Sequence, residues 1–428
     1  MRIENIAIEN FKKFEKLNVR FNPQMNVIVG SNGAGKSSVL EALAIAAGSF
    51  FLGIEGIASP GIKSSDVRFV AESVGSSIDR NPQFPVYITC NGSVDFHSIT
   101  WERSLHSETG STNFKNAVEL KKLAHDMQND IRHGDKVGIL PVISYYSTGR
   151  LWAQKKEKQD RTKKRMSNRF AGYVDCLSSS SNEKLMITWF EKMTYQQLQD
   201  GSELPELKAV ENAVSTCFLD SGVSADSVKV GYRVKSGEIE IVYRDENGKW
   251  QKHPFHELSD GFRNTMSLVA DIAYRMAVLN PQLLENVTKE TPGVVIIDEI
   301  DQHLHPQWQR VILESLMRIF PKVQFIVSTH SPSVIASAKK DQLILLGEDG
   351  CSYPENTFGK DSNSVLSEIM EVNPRPDEIQ NKLDEFNQML DEEKFEQAKL
   401  LLNELTAMLG EDNSDVVSAK VALDFETC

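Results

Sequence analysis

The chain has 428 residues, 40% hydrophobic and 25% charged, and a formal net charge of −13, which leaves room for two or three domains or for one large α/β domain with insertions. It holds no run of about 18 apolar residues, its opening MRIENIAIENFKKF has neither an apolar h-region nor a cleavage site, and its five cysteines show no CxxC or Cys/His spacing; this argues against a membrane span, export, a disulfide frame or a zinc site, and we expect a soluble, cytoplasmic protein. The acidic balance argues against indiscriminate DNA coating but is uneven: residues 371–428 hold 15 acids against 5 Lys/Arg, whereas Ala153–Arg169 hold 8 basic residues against 2 acids.

From the N-terminus, IENIAIENF and LNVRF alternate as short strands, MNVIVG reads as a buried strand, and a glycine-rich loop leads into a helix from Lys36 to about Ala47. Residues 84–104 alternate at period two and predict an antiparallel hairpin turning at Asn91-Gly92. A helix at about 114–131 precedes LPVISYY, another buried strand. Residues 151–224 are mostly helical and polar, open with the basic run and are interrupted at Ser178–Ser181; they read as an insertion or lid. VKVGYRV and EIEIVYR, joined through Lys235-Ser236-Gly237, form a second hairpin. LSDGFRNT then runs into the apolar helix MSLVADIAYRMAVL, followed by the strand GVVIID, a helix from about Pro306 to Ile319, and the strands VQFIVSTH and QLILLG.

Strands alternating with helices predict a mostly parallel sheet. From about Arg375 the chain turns acidic, with Leu383, Phe386 and Leu390, then Phe395, Ala398, Leu402, Leu405 and Leu409 at helical spacing, the pattern of a helical hairpin. The expected fold is therefore α/β: a P-loop head with a mostly parallel sheet and an antiparallel β-subdomain, a helical insertion and a helical tail. Its divisions are 1–150, 151–224, 225–348 and 349–428.

Gly30-Ser31-Asn32-Gly33-Ala34-Gly35-Lys36-Ser37 satisfies GxxxxGK[ST] between a predicted strand and a predicted helix. Glycines let successive N–H groups turn inward onto phosphate oxygens, and the helix adds its positive dipole end. Asn32, Gly33, Gly35, Lys36, Ser37 and Ser38 are the candidate ATP contacts, with Lys36 across the β- and γ-phosphates and the Ser37 hydroxyl on Mg²⁺. In VVIIDEIDQHLHP, Asp298 ends an apolar strand, where an ionised carboxylate needs a cation, and Mg²⁺ beside the P-loop supplies one. Glu299 is placed to orient, or take a proton from, the water that attacks the γ-phosphate. Asp301, His303 and His305 follow; we read their loop as packing against a neighbouring subunit rather than as a metal site. His330 closes the next strand in sequence, and if the two strands are adjacent its imidazole is a candidate γ-phosphate sensor.

With IENFKKF, GSNGAGKSS, LSDGFR, IIDEIDQHLHP and STH in this order, residues 1 to about 348 resemble ABC-type ATPases of the SMC/RecF class. The resemblance implies an ABC/SMC-type head and a head-to-tail dimer as the minimum homo-oligomer, each ATP lying between the P-loop of one copy and the signature loop of the other. Leu258, Ser259, Asp260 and Gly261 match that signature, which places Ser259 and the N–H groups near Gly261 on a partner's γ-phosphate. Read as residues alone, they are a helix start with a hydroxyl and a glycine, an anion site without a lysine. Lys12 matches the basic residue that the family sets near the nucleotide; the alternative is a solvated strand-end lysine. The family's Q-loop glutamine is replaced by Ser147-Thr148-Gly149-Arg150, with Gln154 the nearest candidate.

More narrowly, LPVISYYSTGRLW, the short insertion, and FGKDSNSVLSEIMEVNPRPDEI with the acidic helices after it resemble the PtuA ATPases of Septu and Septu-like retron antiphage systems. Those act with a separate HNH nuclease, PtuB. This implies an ATPase that assembles with such a nuclease, with residues 371–428 as the docking element or else a hairpin packed on its own domain. The basic run fits nucleic acid, a neighbouring subunit or a solvated lid helix, and no membrane contact is expected. Clustered acids for a Toprim nuclease are lacking in the tail. Two other functions are kept in view: a RecF-like DNA repair or maintenance ATPase, and a nucleotide-locked scaffold with little hydrolysis.

Overall fold

Among the described residues, the core of Met1–Lys360 is a six-stranded sheet in the order Cys351–Ser352, Leu343–Leu346, Met25–Val29, Val323–Ser328, Gly293–Ile297, Val142–Tyr146. Five strands run parallel and Cys351–Ser352 is antiparallel. The computed structural model describes every residue except 75–76, 135–136, 152–168, 179–182, 224, 349, 355–357, 371, 374 and 428. Most of the basic run, Gln154 and residues 179–181 of the serine tract thus lie outside the described residues.

MNVIV, GVVII and VQFIVS are buried along their whole length. A parallel strand covered on both faces has no solvent side, so a mostly apolar run, rather than alternation, is the pattern that fits it; the buried Asn26 and Gln324 hydrogen-bond within the protein. Ile297 pairs with both Val327 and Tyr146, and Ile28 with both Ser328 and Ile344. This register brings the C-terminal ends of the parallel strands to one edge of the sheet. The strand that leads to His330 lies between the P-loop strand and the one that leads to Asp298, so the adjacency required of His330 is present.

Helix Lys36–Ala47 packs on the central sheet by one side and on the antiparallel sheet by the other. Being apolar all round, it is a core helix. With the following turn it forms Lys36–Gly53, a stretch apolar and long enough by composition to cross a membrane, of which 78% is buried inside the protein.

The antiparallel sheet has the order Phe14–Arg20, Arg2–Phe11, Val86–Val94, His97–Leu105. Its second hairpin turns at Asp95-Phe96, with φ of 48° and 66°, and not at Asn91-Gly92 as the sequence suggests. Gly92 instead sits inside a strand, opposite a register shift between Ile3 and Asn5. A Cβ there would lie 2.1 Å from the Arg2 carbonyl oxygen, so glycine serves the close approach of a bulged neighbour. The hairpin through Lys235-Ser236-Gly237 forms as expected from Ala225–Arg233 and Glu238–Asp245, with Trp250–Pro254 as a third strand.

From Arg169 onward the segment expected as an insertion or lid is packed into the body. The Tyr173 hydroxyl donates to the Pro141 carbonyl at 2.8 Å, and helix Pro205–Asp220 buries Leu207, Val210, Val214 and Phe218. That helix lies against helix Asp260–Leu279. Residues 361–428 form the second unit. Its helices Asp377–Asp391, Phe395–Leu409 and Ser414–Thr427 enclose a core of Phe386, Ala398, Leu402, Leu405, Val416, Ala419 and Leu423. The expected hairpin is there, with a third helix added.

Candidate functional site

The edge where the parallel strands end carries a cleft of ≈ 380 Å³ lined by Lys12, Lys13, Gly33, Gly35, Lys36, Ser37, Ser38, Asp298, Glu299 and His330. Residues from three distant parts of the chain thus meet, because the Met25–Val29, Val323–Ser328 and Gly293–Ile297 strands are neighbours. The carboxyl edge of a parallel sheet is where α/β folds place ligands, since the loops there are free to vary while the strands hold them.

The loop before helix Lys36–Ala47 has Gly33 and Gly35 at φ of 80° and 98°. At Gly35 a Cβ would also meet the Phe14 ring at 2.5 Å, so both backbone angle and space demand glycine. The helix start has no side-chain cap and no acid in its first turn, which leaves its N–H groups and dipole for an anion. The Lys36 ammonium is buried and donates to the carbonyls of Gly30 at 2.9 Å and Ser31 at 3.1 Å. Burial pulls its pKa below the usual lysine range, partly offset by Asp298, Glu299 and Asp301. Asn32 is exposed at the loop tip and outside the cleft lining.

Asp298 is 3% exposed, and its Oδ1 accepts from the Ser328 hydroxyl at 2.5 Å. Glu299 has φ of 50°, a left-handed backbone uncommon outside glycine. The Ser37 hydroxyl and the Asp298 carboxylate, both lining the cleft, are the hard oxygen donors that suit Mg²⁺. Lys12 lines the cleft but is ion-paired to Glu41, whereas Lys13 donates to the Gly33 carbonyl at 2.9 Å. Sequence reasoning missed Lys13 and Ser328. The doubled lysine of NFKKF was the signal for the first, but which of two turn lysines faces the loop is settled only by the turn, where Lys12 has φ of 51°.

Ser259 and Asp260 are exposed, begin helix Asp260–Leu279 and do not line this cleft. Asp260 pairs with Arg263 at 3.0 Å, and Gly261 is buried against the His303 backbone. The loop after Glu299 makes contacts within its own chain: Asp301 accepts from the Thr329 hydroxyl at 2.6 Å, and His305 Nδ1 accepts from the Gln307 N–H at 3.3 Å. Gln302 donates to the Thr148 carbonyl at 3.3 Å, in the segment where a Q-loop glutamine would be sought.

Residues 5–218 match the model of an AAA domain, and residues 221–335 that of an AAA ATPase domain. The chain belongs to the AAA ATPases. This ATPase is 25% identical to the retron Ec83 probable ATPase of Escherichia coli, over 99% of its own length and 87% of the relative's. It is 26% identical to the retron Vc95 probable ATPase of Vibrio cholerae serotype O1 biovar El Tor, over 88% and 80%. Against the Septu protein PtuA of Bacillus thuringiensis the identity is 26%, over 96% and 95%. Among solved structures, an SMC head bound to the C-winged helix domain of ScpA aligns with a TM-score of 0.47 and 16% identity, over 83% of this chain and 98% of that one.

Proposed function

We propose that the ATPase is the nucleotide-driven switch of an antiphage defence system and that it controls an HNH-type nuclease. One observation carries the catalytic part of this reading: Lys36, Ser37, Asp298, Glu299 and His330 line one cleft, while Ser259–Gly261, the other anion-binding element, lies outside it. In the head-to-tail arrangement that the resemblance implies, a second copy would supply Ser259–Gly261 as the facing wall of this cleft.

In this reading the N–H groups from Gly33 to Ser38 cradle the phosphates of ATP, and Lys36 exchanges its carbonyl partners for β- and γ-phosphate oxygens. Lys13 sits beside the same loop and adds positive charge. Ser37 and Asp298 would hold Mg²⁺, which would neutralise charge developing on the phosphates. Glu299 orients the attacking water and takes its proton, and His330 donates to the γ-phosphate. Across the interface Ser259 and the amides at the start of its helix close on the same phosphate.

Support for the defence role comes from the retron and Septu proteins to which the chain is similar. The nuclease partner follows from the resemblance, and the acidic second unit is the candidate docking element. Two substitutions test the ATP site. Glu299→Gln should abolish turnover and trap closed dimers, and Ser259→Arg should leave ATP binding to one copy intact while removing both closure and turnover. A Glu299→Gln protein that behaves as wild type would point to a scaffold. Salt-sensitive duplex DNA binding by the chain alone would favour a DNA maintenance role. Co-purification with the HNH nuclease, lost on deleting residues 371–428, tests the docking assignment.

A further inference from the structure

We propose that Ser328 is a positioning residue that sets both acids at the end of the Gly293–Ile297 strand for ATP hydrolysis. The inference rests on the roles given above to Asp298 and Glu299, and gives a role to the first residue of the STH run, of which the sequence reading used only His330.

Ser328 ends the strand between the P-loop strand and the Asp298 strand, and it is fully buried. A hydroxyl in such a place must spend its hydrogen-bonding capacity on neighbours. Its proton goes to Asp298 Oδ1 at 2.5 Å, and its oxygen accepts the Glu299 N–H at 2.8 Å. The Ser328 carbonyl takes the next amide, Ile300 N–H, at 3.0 Å. The N–H groups of Glu299 and of the residue after it are therefore both tied to one serine.

Those ties matter because Glu299 has φ of 50°. A non-glycine residue keeps a left-handed backbone only where its surroundings over-determine it. Ser328 holds the peptide planes on both sides of that strained residue, and so fixes the direction in which the Glu299 side chain leaves the strand. By occupying Oδ1, it also fixes the rotation of the Asp298 carboxylate. His330 follows two residues on, so the sensor and both acids are referenced to one point.

The test uses the full chain and three measurements: steady-state ATP hydrolysis, equilibrium binding of a fluorescent ATP analogue, and thermal melting. Ser328→Ala should lower kcat roughly 10- to 100-fold, the scale of a small misplacement of catalytic groups, with nucleotide affinity and melting temperature close to wild type. Ser328→Thr, which keeps the hydroxyl, should recover most of the rate. Wild-type kcat in Ser328→Ala overturns the proposal. So does a loss of affinity or melting temperature in step with the rate, or a threonine variant as slow as alanine. Should Glu299→Gln itself turn over normally, the role given to Glu299 fails first; a slow Glu299→Gln beside a fast Ser328→Ala removes Ser328 alone.

Discussion

Gly261 lies so close to His303 that a Cβ built on it would sit 2.1 Å from the His303 carbonyl oxygen. His303 itself has φ of 63°, so the loop after the two acids bends its backbone onto the start of helix Asp260–Leu279. Phe262, one residue on, packs against Trp308 with ring centroids 4.8 Å apart. The two elements form one packed unit at the place where a partner's nucleotide is proposed to bind.

Gly261 is needed for space and not for an unusual backbone angle, so alanine is the decisive substitution. Gly261→Ala should force the helix start and the His303 loop apart, at a cost of about 1–3 kcal/mol. The expected outcome is a lower melting temperature and loss of ATP-dependent dimers in sedimentation, with ATP binding to the single copy retained. Dimers that persist in Gly261→Ala would separate this contact from closure.

The two lysines of NFKKF should behave differently. Lys12 is engaged by Glu41 on helix Lys36–Ala47, whereas Lys13 reaches the Gly33 carbonyl of the phosphate loop. Lys13→Ala should raise the KM for ATP by about tenfold, the equivalent of one charge-assisted hydrogen bond to phosphate. Lys12→Ala should change KM by a smaller factor, because its charge is already paired. Steady-state kinetics on the two variants decide it, and the reverse order would return the nucleotide contact to Lys12.

What the sequence revealed and what it withheld follow from how local each feature is. The phosphate loop, its helix and the Asp298 strand are specified by short runs: glycines at fixed spacing, then apolar residues buried on both faces. The turn at Asp95-Phe96 was missed because an Asn-Gly pair nearby is the stronger turn signal, and only the neighbouring strand reveals that Gly92 is needed for close approach. Val416, Ala419 and Leu423 are spaced for a helix, yet their stripe is short and two exposed valines, Val417 and Val421, blur it. Ser328 stands in the STH run, but its role is silent in sequence for a different reason: its partners lie 29 and 30 residues away, just past the end of another strand.

Residues 361–428 have an apolar core of their own, and Arg375 ties into the third helix with two bonds to Asp415 at 2.7 and 2.6 Å. A chain ending at Lys360 should therefore retain ATP binding, and its loss should show as a missing melting transition rather than as a failed head. Calorimetry of the full and shortened chains checks this. If the shortened chain neither folds nor binds nucleotide, the division at Lys360 is not one of stability.

Glu211 gives the molecule a pH dependence away from the nucleotide. It lies on helix Pro205–Asp220, where burial, then the charge of Glu203, raise its pKa from 4.5 to about 7, with Lys208 partly opposing. A carboxyl whose folded pKa exceeds its unfolded one holds its proton more tightly when folded. Stability is then fully present below pH 4.5 and declines as pH rises to about 7. The loss is on the order of 1–3 kcal/mol once solvent near the side chain is allowed for. Glu211→Gln removes the titration while keeping shape and hydrogen-bonding capacity. Melting curves should find the variant and the wild type equal near pH 4, with the variant more stable at pH 8; a gap of the same size at both pH values would mean that packing, and not charge, is what the substitution changes.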